Sequence, residues 1–241
     1  TLYVTLEPCR HWGKTPPCAQ AIKKTGITRV VAGSRDPFQK GHSTSIFLKG
    51  SVANQCQELN KFFFTWVTKK RPYITAKIAM STDGFVGKPG QRVHITNRAQ
   101  DRMVHRLRAQ HQAILVGVNT VIADDPQLNV RLVRGQDPLR VILDSHLRIP
   151  RKAKVLKDQN YLIATCVRRP LKGLNTWVSA GKQVNLKVLF RELARRGISS
   201  ILVEPGPTLY RSLHRARLID ELMVFVGKKK IGKGLPFPLH S

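Results

Sequence analysis

Apolar positions in the first 71 residues switch between the period of a strand and that of a helix. The runs Leu2-Tyr3-Val4-Thr5-Leu6 and Ile27-Thr28-Arg29-Val30-Val31 predict strands, and residues 18–24 between them keep helical spacing until Gly26. This is an α/β unit. Residues 36–50 are polar and rich in Gly, Ser and Lys, which predicts a loop. Residues 52–67, carrying Phe62, Phe63, Phe64 and Trp66, predict one amphipathic helix over a core. The run Lys69-Lys70-Arg71-Pro72 breaks that pattern, so a domain boundary is expected between residues 71 and 72.

Beyond Pro72 the alternation lengthens. Residues 73–80, 113–118, 139–144, 161–165, 198–203 and 222–226 predict strands, while 97–112, 186–196 and 208–216 predict helices. Near-continuous apolar strands separated by helices predict an α/β fold with a mainly parallel sheet covered on both faces.

Composition narrows the setting. A chain of 241 residues can bury a full core, and no window approaches 18 uninterrupted apolar residues, which argues against a membrane-spanning helix. Cys9, Cys18, Cys56 and Cys166 form no compact framework, which argues against a secreted disulfide scaffold and for a reducing cytoplasm. The 42 Lys and Arg against 14 Asp and Glu give a formal charge of +28 and predict anionic partners. Small phosphorylated ligands and a nucleic-acid backbone both fit. The basic residues are dispersed, as at Lys23-Lys24, Arg168-Arg169 and Lys228-Lys229-Lys230, which favours a solvated surface and at most nonspecific nucleic-acid binding.

Candidate chemistry gathers in two places. In the first unit, Glu7-Pro8-Cys9 and Pro16-Pro17-Cys18 space two thiols as half of a zinc site or as two reduced cysteines beside a proline turn. In the second, four segments follow predicted strands, where open α/β sheets bind ligands. They are Ile78-Ala79-Met80-Ser81-Thr82-Asp83-Gly84, the stretch from Val118 through Asp124-Asp125-Pro126 to Arg131, Asp144-Ser145, and Val203-Glu204-Pro205-Gly206-Pro207-Thr208. The amides near Gly206 and Thr208 open a helix and suit a phosphate. The pair Asp124-Asp125 reads either as a capping device or as acceptors for a sugar or base.

The order of these motifs resembles the bifunctional riboflavin-biosynthesis pyrimidine deaminase/reductase family, over nearly the whole chain. Residues Thr5 to Cys9 and Gly13 to Cys18 match its second zinc motif. His105-Arg106-Leu107-Arg108-Ala109, Ile114-Leu115-Val116-Gly117, the Thr120 to Arg131 stretch and Val203-Glu204 with Gly206-Pro207-Thr208-Leu209 match its reductase. The resemblance implies a partial cytidine-deaminase-like domain over residues 1–71 and a dihydrofolate-reductase-like domain over 72–241. It implies zinc at Cys9 and Cys18, with Lys14 near the deaminase substrate. It also implies NADPH at Ala79, Thr120, Asp124, Ser145, Gly206 and Thr208. The substrate, a ribosylaminopyrimidine 5′-phosphate, is implied to meet Arg108, Leu128, Arg131 and Glu204, and a homo-oligomer is expected.

The chain departs from the family's pattern in four respects. The His-Ala-Glu segment that supplies the third zinc ligand and the proton shuttle would precede Thr1, so no catalytic residue for deamination is present and that activity is expected to be absent. His94 stands where a tryptophan would rest on the cofactor, and Arg92 where a small polar residue would meet substrate. Pro205 removes an N–H beside the phosphate turn. The family's closing strands would follow Ser241.

Overall fold

The computed structural model describes every residue except 14, 40, 90, 92, 170, 171 and 238–241, so the expectations for Lys14 and Arg92 lie outside the described residues. The chain forms two compact units, Thr1–Arg71 and Pro72–Ser241.

In the first unit, β1 (Leu2–Val4), β2 (Val30–Ala32) and β3 (Ile46–Phe47) form a parallel sheet in that order, with α1 (Cys18–Lys24) joining the first two. The two-residue β3 lies inside the stretch expected to be loop, because so short a strand leaves no periodic signal. The helix expected over 52–67 is two helices, α2 (Gly50–Leu59) and α3 (Lys61–Lys69). Asn60 separates them: its side-chain amide donates to the Cys56 carbonyl at 2.7 Å, and its backbone leaves the helical region. Cys56 is buried, and a Cβ on Gly33 would stand 2.2 Å from its sulfur, so this cysteine serves packing.

The second unit is built on seven parallel strands, β4 (Tyr73–Met80), β5 (Ala113–Gly117), β6 (Leu139–Leu143), β7 (Tyr161–Thr165), β8 (Thr176–Val178), β9 (Ser200–Val203) and β10 (Glu221–Val226), in spatial order β10-β4-β9-β5-β6-β7-β8. Strand alternation divides their side chains cleanly. Ala113, Leu115, Val141, Leu162, Ile201 and Val203 pack beneath α6 (Leu186–Arg195) and α7 (Pro207–Arg215). Ile114, Val116, Ile142, Ile163 and Leu202 pack on the opposite face with Leu107 of α4 (Arg98–Gln110) and Val118 and Val121 of α5 (Val118–Asp124). β8 and α5 carry no element in the sequence reading, the first for its three residues and the second because its polar positions look like a loop.

Because every strand runs the same way, all carboxyl ends lie along one edge. β4 is the long member: Ala76 is level with Val203 of β9, so the strand continues to Met80 for four residues, ~13 Å, past the end of β9. Its extension pairs with β10, where Phe225 faces Ala79. Asp83 fastens the following loop, accepting from the Ser81 hydroxyl at 2.6 Å and from the amides of Ile231 and Gly232 at 3.0 and 2.7 Å.

Gly227 donates to the Met80 carbonyl at 2.8 Å, and a Cβ there would lie 2.0 Å from the Ile95 carbonyl oxygen. Backbone meets backbone at this point, so no side chain yields. Gly227→Ala is expected to destabilise the second unit by about 1–3 kcal/mol, read as a lower urea midpoint.

Candidate active site at the strand ends

The extension of β4 leaves a step in the sheet edge, and the residues around that step carry charge. Alternation puts Ile74, Ala76 and Ile78 on the α6/α7 face and Thr75, Lys77 and Ala79 on the α4/α5 face. Glu204 directly follows β9, level with Lys77, and its amide donates to the Leu115 carbonyl at 3.0 Å. Lys77 Nζ lies 3.3 Å from Glu204 Oε2. From α4, Arg108 donates to Glu204 Oε1 through Nε at 3.1 Å and Nη2 at 2.9 Å, while its Nη1 donates to the Asn129 carbonyl at 3.3 Å. Burial alone would raise the Glu204 carboxyl, but Lys77 and then Arg108 outweigh it and hold the group at about 2.

Beside this triad lies a cleft of about 290 Å³, lined by Arg108, Asp125, Pro126, Gln127, Leu128, Arg131 and Lys154. Its wall is a turn under tension. Asp125 and Leu128 both have positive φ, +40° and +54°, which disfavours any side chain. Two anchors hold it. Leu128 is buried in the α4/α5-side core, and the Asp125 carboxylate accepts the Lys154 amide at 2.8 Å and faces its Nζ at 3.1 Å. The Arg131 amide donates to His105 Nδ1 at 3.1 Å. Burial, then the charges of Arg108 and Arg131, push His105 down to about 4, so its ring stays neutral and keeps that acceptor.

The structure brings Arg108, Leu128 and Arg131 to one cleft, with Glu204 directly behind Arg108. The fork of Arg108, a residue expected to meet the substrate, is directed at Glu204, because a carboxylate largely withdrawn from water needs paired donors. Ala79 shares a sheet face with Lys77 and is small and half-buried. Thr120 and Asp124 lie on α5, which leads into the cleft wall. Ser145 follows β6, and its hydroxyl accepts the Val184 amide at 3.2 Å. Gly206 is the N-cap residue of α7 without a side-chain cap, with nothing within 4 Å of its Cβ position, and Thr208 follows it exposed. His94 is exposed, its Nε2 3.2 Å from Asp101 Oδ2.

As site residues, Lys77, His105 and Lys154 escape the sequence reading, which quotes His105 only as part of a motif. A lysine inside the otherwise apolar run 73–80 was the available signal for the first. For the other two, the partner lies 26 and 29 residues away.

In the first unit, the Cys18 amide donates to Cys9 Sγ at 3.2 Å, and that sulfur, by hydrogen bonding, raises the Cys18 thiol. Two sulfurs are half of a tetrahedral set. Among the described residues no group of three or more His, Cys, Asp or Glu stands together to hold a metal, so the donor set does not fit a complete zinc centre. Glu7 is buried and its carboxylate accepts the Asp36 amide at 3.3 Å.

A parallel sheet covered on both faces, with a cationic cleft and an uncapped helix start along its carboxyl edge, is the architecture of a ligand-binding α/β enzyme domain. The RibD C-terminal domain family matches residues 72–239. The chain is 38% identical over 252 residues to riboflavin biosynthesis protein RibD of Aquifex aeolicus, covering 98% of this chain and 71% of that protein. The corresponding figure for the Escherichia coli protein is 33%, over 96% and 71%. A diaminohydroxyphosphoribosylaminopyrimidine deaminase/5-amino-6-(5-phosphoribosylamino)uracil reductase of Thermotoga maritima superposes with a TM-score of 0.84 at 33% identity, over 97% of this chain and 69% of that one. The chain belongs to the RibD family of riboflavin biosynthesis and carries its reductase domain.

Depressed proton affinities at His105 and Glu204 set the sign of a pH effect. Their ordinary values are 6.5 and 4.5, and the folded values are about 4 and about 2. The folded chain therefore binds fewer protons than the unfolded one, so stability is full above pH ~6.5 and is lost as pH falls through ~4 and then ~2. Thermal melts are expected to show this decline. His105→Asn should flatten its upper part, whereas Glu204→Gln should flatten its lower part and cost about 3 kcal/mol at neutral pH by leaving two cations unpaired.

Proposed function

We propose that the second unit is an NADPH-dependent reductase acting on the ribose of 5-amino-6-(5-phosphoribosylamino)uracil to give the ribitylamino product. The observation that carries this reading is the ionised Glu204, locked between Lys77 and Arg108 beside a cleft rimmed by further cations. A half-buried carboxylate with spare lone pairs accepts hydrogen bonds from a polar ring or sugar hydroxyl, and the rim takes the phosphate. Cofactor residues are proposed at Ala79, Thr120, Asp124, Ser145, Gly206 and Thr208, with His94 beside them. The uncapped amides at the start of α7, with open space before Gly206, suit a phosphate of the dinucleotide. Bound NADPH supplies the hydride that C1′ of the opened ribose accepts. The chain's own residues hold the sugar against the step formed by β4 and β9, where orientation rather than side-chain chemistry lowers the barrier. A cytoplasmic setting is proposed from the four unpaired thiols; among the described residues no helix is long and apolar enough to cross a membrane.

Titration with NADPH is expected to show saturable binding that Arg131→Ala leaves intact, while that variant weakens binding of the pyrimidine substrate about 10-fold or more. A folded sample that binds no NADPH overturns the reading.

For the first unit, Cys9 and Cys18 are proposed as two ligands of a zinc site that the described residues do not complete. Metal analysis after dialysis is expected to find well below one equivalent of zinc, and Cys9→Ser to remove the residue of it. Tight stoichiometric zinc would reveal a further ligand.

A further inference from the structure

We propose that Lys154 is a phosphate-binding residue of the cleft, exchanging its contact with Asp125 for the terminal phosphate of a sugar phosphate. The assignment rests on the reading of this cleft as the substrate site.

Three cations line the cleft, Arg108, Arg131 and Lys154, and they are not equivalent. Arg108 spends Nε and Nη2 on Glu204 and Nη1 on a carbonyl, so its fork serves the Glu204 triad. Arg131 makes one side-chain bond, from Nη1 to the neutral Asn129 amide oxygen at 2.9 Å. Lys154 faces Asp125 in a pair whose side chains are 44% and 46% exposed. So exposed an ion pair contributes little to stability and is readily exchanged. A phosphate dianion competes for the ammonium with about twice the charge of a carboxylate and more acceptor oxygens.

Lys154 also has the mechanical requirements of such a residue. Its amide donates to Asp125 Oδ1 at 2.8 Å, and its neighbours Ala153 and Val155 are buried, so the backbone is fixed at the rim whatever the side chain does. The ammonium travels on four flexible carbons. Arg151 and Lys152, in the same turn, are exposed but do not line the cleft. Asp125 is then a placeholder that keeps Lys154 at the rim while the site is empty.

Calorimetric titration of the whole chain with ribose 5-phosphate, and with ribose as the control lacking phosphate, tests this. Lys154→Ala is expected to weaken ribose 5-phosphate binding about 10-fold while ribose and NADPH are unaffected, and Lys154→Arg to restore it to within about threefold. Asp125→Asn keeps an acceptor for the Lys154 amide but removes the competing charge, so it is expected to tighten ribose 5-phosphate binding. Lys152→Ala, which removes the same charge from the same turn, should change binding by less than about twofold. Unchanged affinity in Lys154→Ala, or equal weakening by Lys152→Ala, overturns the assignment. The two readings fail separately. NADPH binding without any Lys154-dependent phosphate binding refutes only the role of Lys154, and phosphate binding through Lys154 without NADPH binding refutes only the reductase.

Discussion

The ionised Glu204 between Lys77 and Arg108 is the constraint on which the rest of the second unit turns. It joins the end of β9, the interior of β4 and the last turn of α4, three elements far apart in the chain. Such a triad offers little net stability over a well-packed apolar cluster, since desolvation of three charges offsets much of their attraction. What it fixes is geometry. With both cations pointing at one carboxylate, α4 has one angle across the sheet, and Arg108 holds the Asn129 carbonyl so that the turn carrying Leu128 and Arg131 stands beside it.

That turn is the second dependency. Two residues without glycine's freedom adopt left-handed backbone within four positions, which only strong anchors sustain. Core burial of Leu128, the bond from the Lys154 amide to Asp125 Oδ1, and the neutral ring of His105 beneath Arg131 supply them. Neutrality of His105 follows from the same cations it helps to place, since Arg108 and Arg131 both oppose a proton on the ring. Site electrostatics and loop conformation therefore share their causes.

Much of this frame is legible in the sequence, for identifiable reasons. β5, β6, β7 and β9 are apolar on both faces, so their runs announce buried parallel strands, and α4, α6 and α7 carry clear apolar stripes. The boundary at Pro72 coincides with a charge run and a residue that breaks a helix. Arg108, Leu128, Arg131 and Glu204 were reachable because matching motifs surround them. What sequence did not display is pairing at a distance. Lys77 looks like an intruder in a strand until Glu204 is set beside it, and Lys154 is one of four basic residues in a short run until the fold shows which one meets the cleft. Local breaks were equally silent: Asn60 ends a helix through its own amide, an event with no periodic signature.

The charge imbalance takes on meaning in this light. Among the described residues at least eight of the 14 acidic residues, Glu7, Asp36, Asp83, Asp125, Asp137, Asp144, Asp158 and Asp220, accept backbone amides, of Asp36, Phe38, Ile231 and Gly232, Lys154, Val130, Ile149, Asn160 and Ile74 respectively. An ionised carboxylate is a strong acceptor for such amides, and several of these bonds shape the loops at the sheet's carboxyl edge. Carboxylates used this way act as staples for loops rather than as counter-ions for the surface. The excess of 42 basic over 14 acidic residues is set by composition, and few carboxylates remain to pair with individual surface cations, so the surface presents a positive field to anionic ligands. Asp125 is the instructive case, because it does both: its Oδ1 staples the rim while its Oδ2 faces the Lys154 ammonium, and only the second of these contacts is open to replacement by a phosphate.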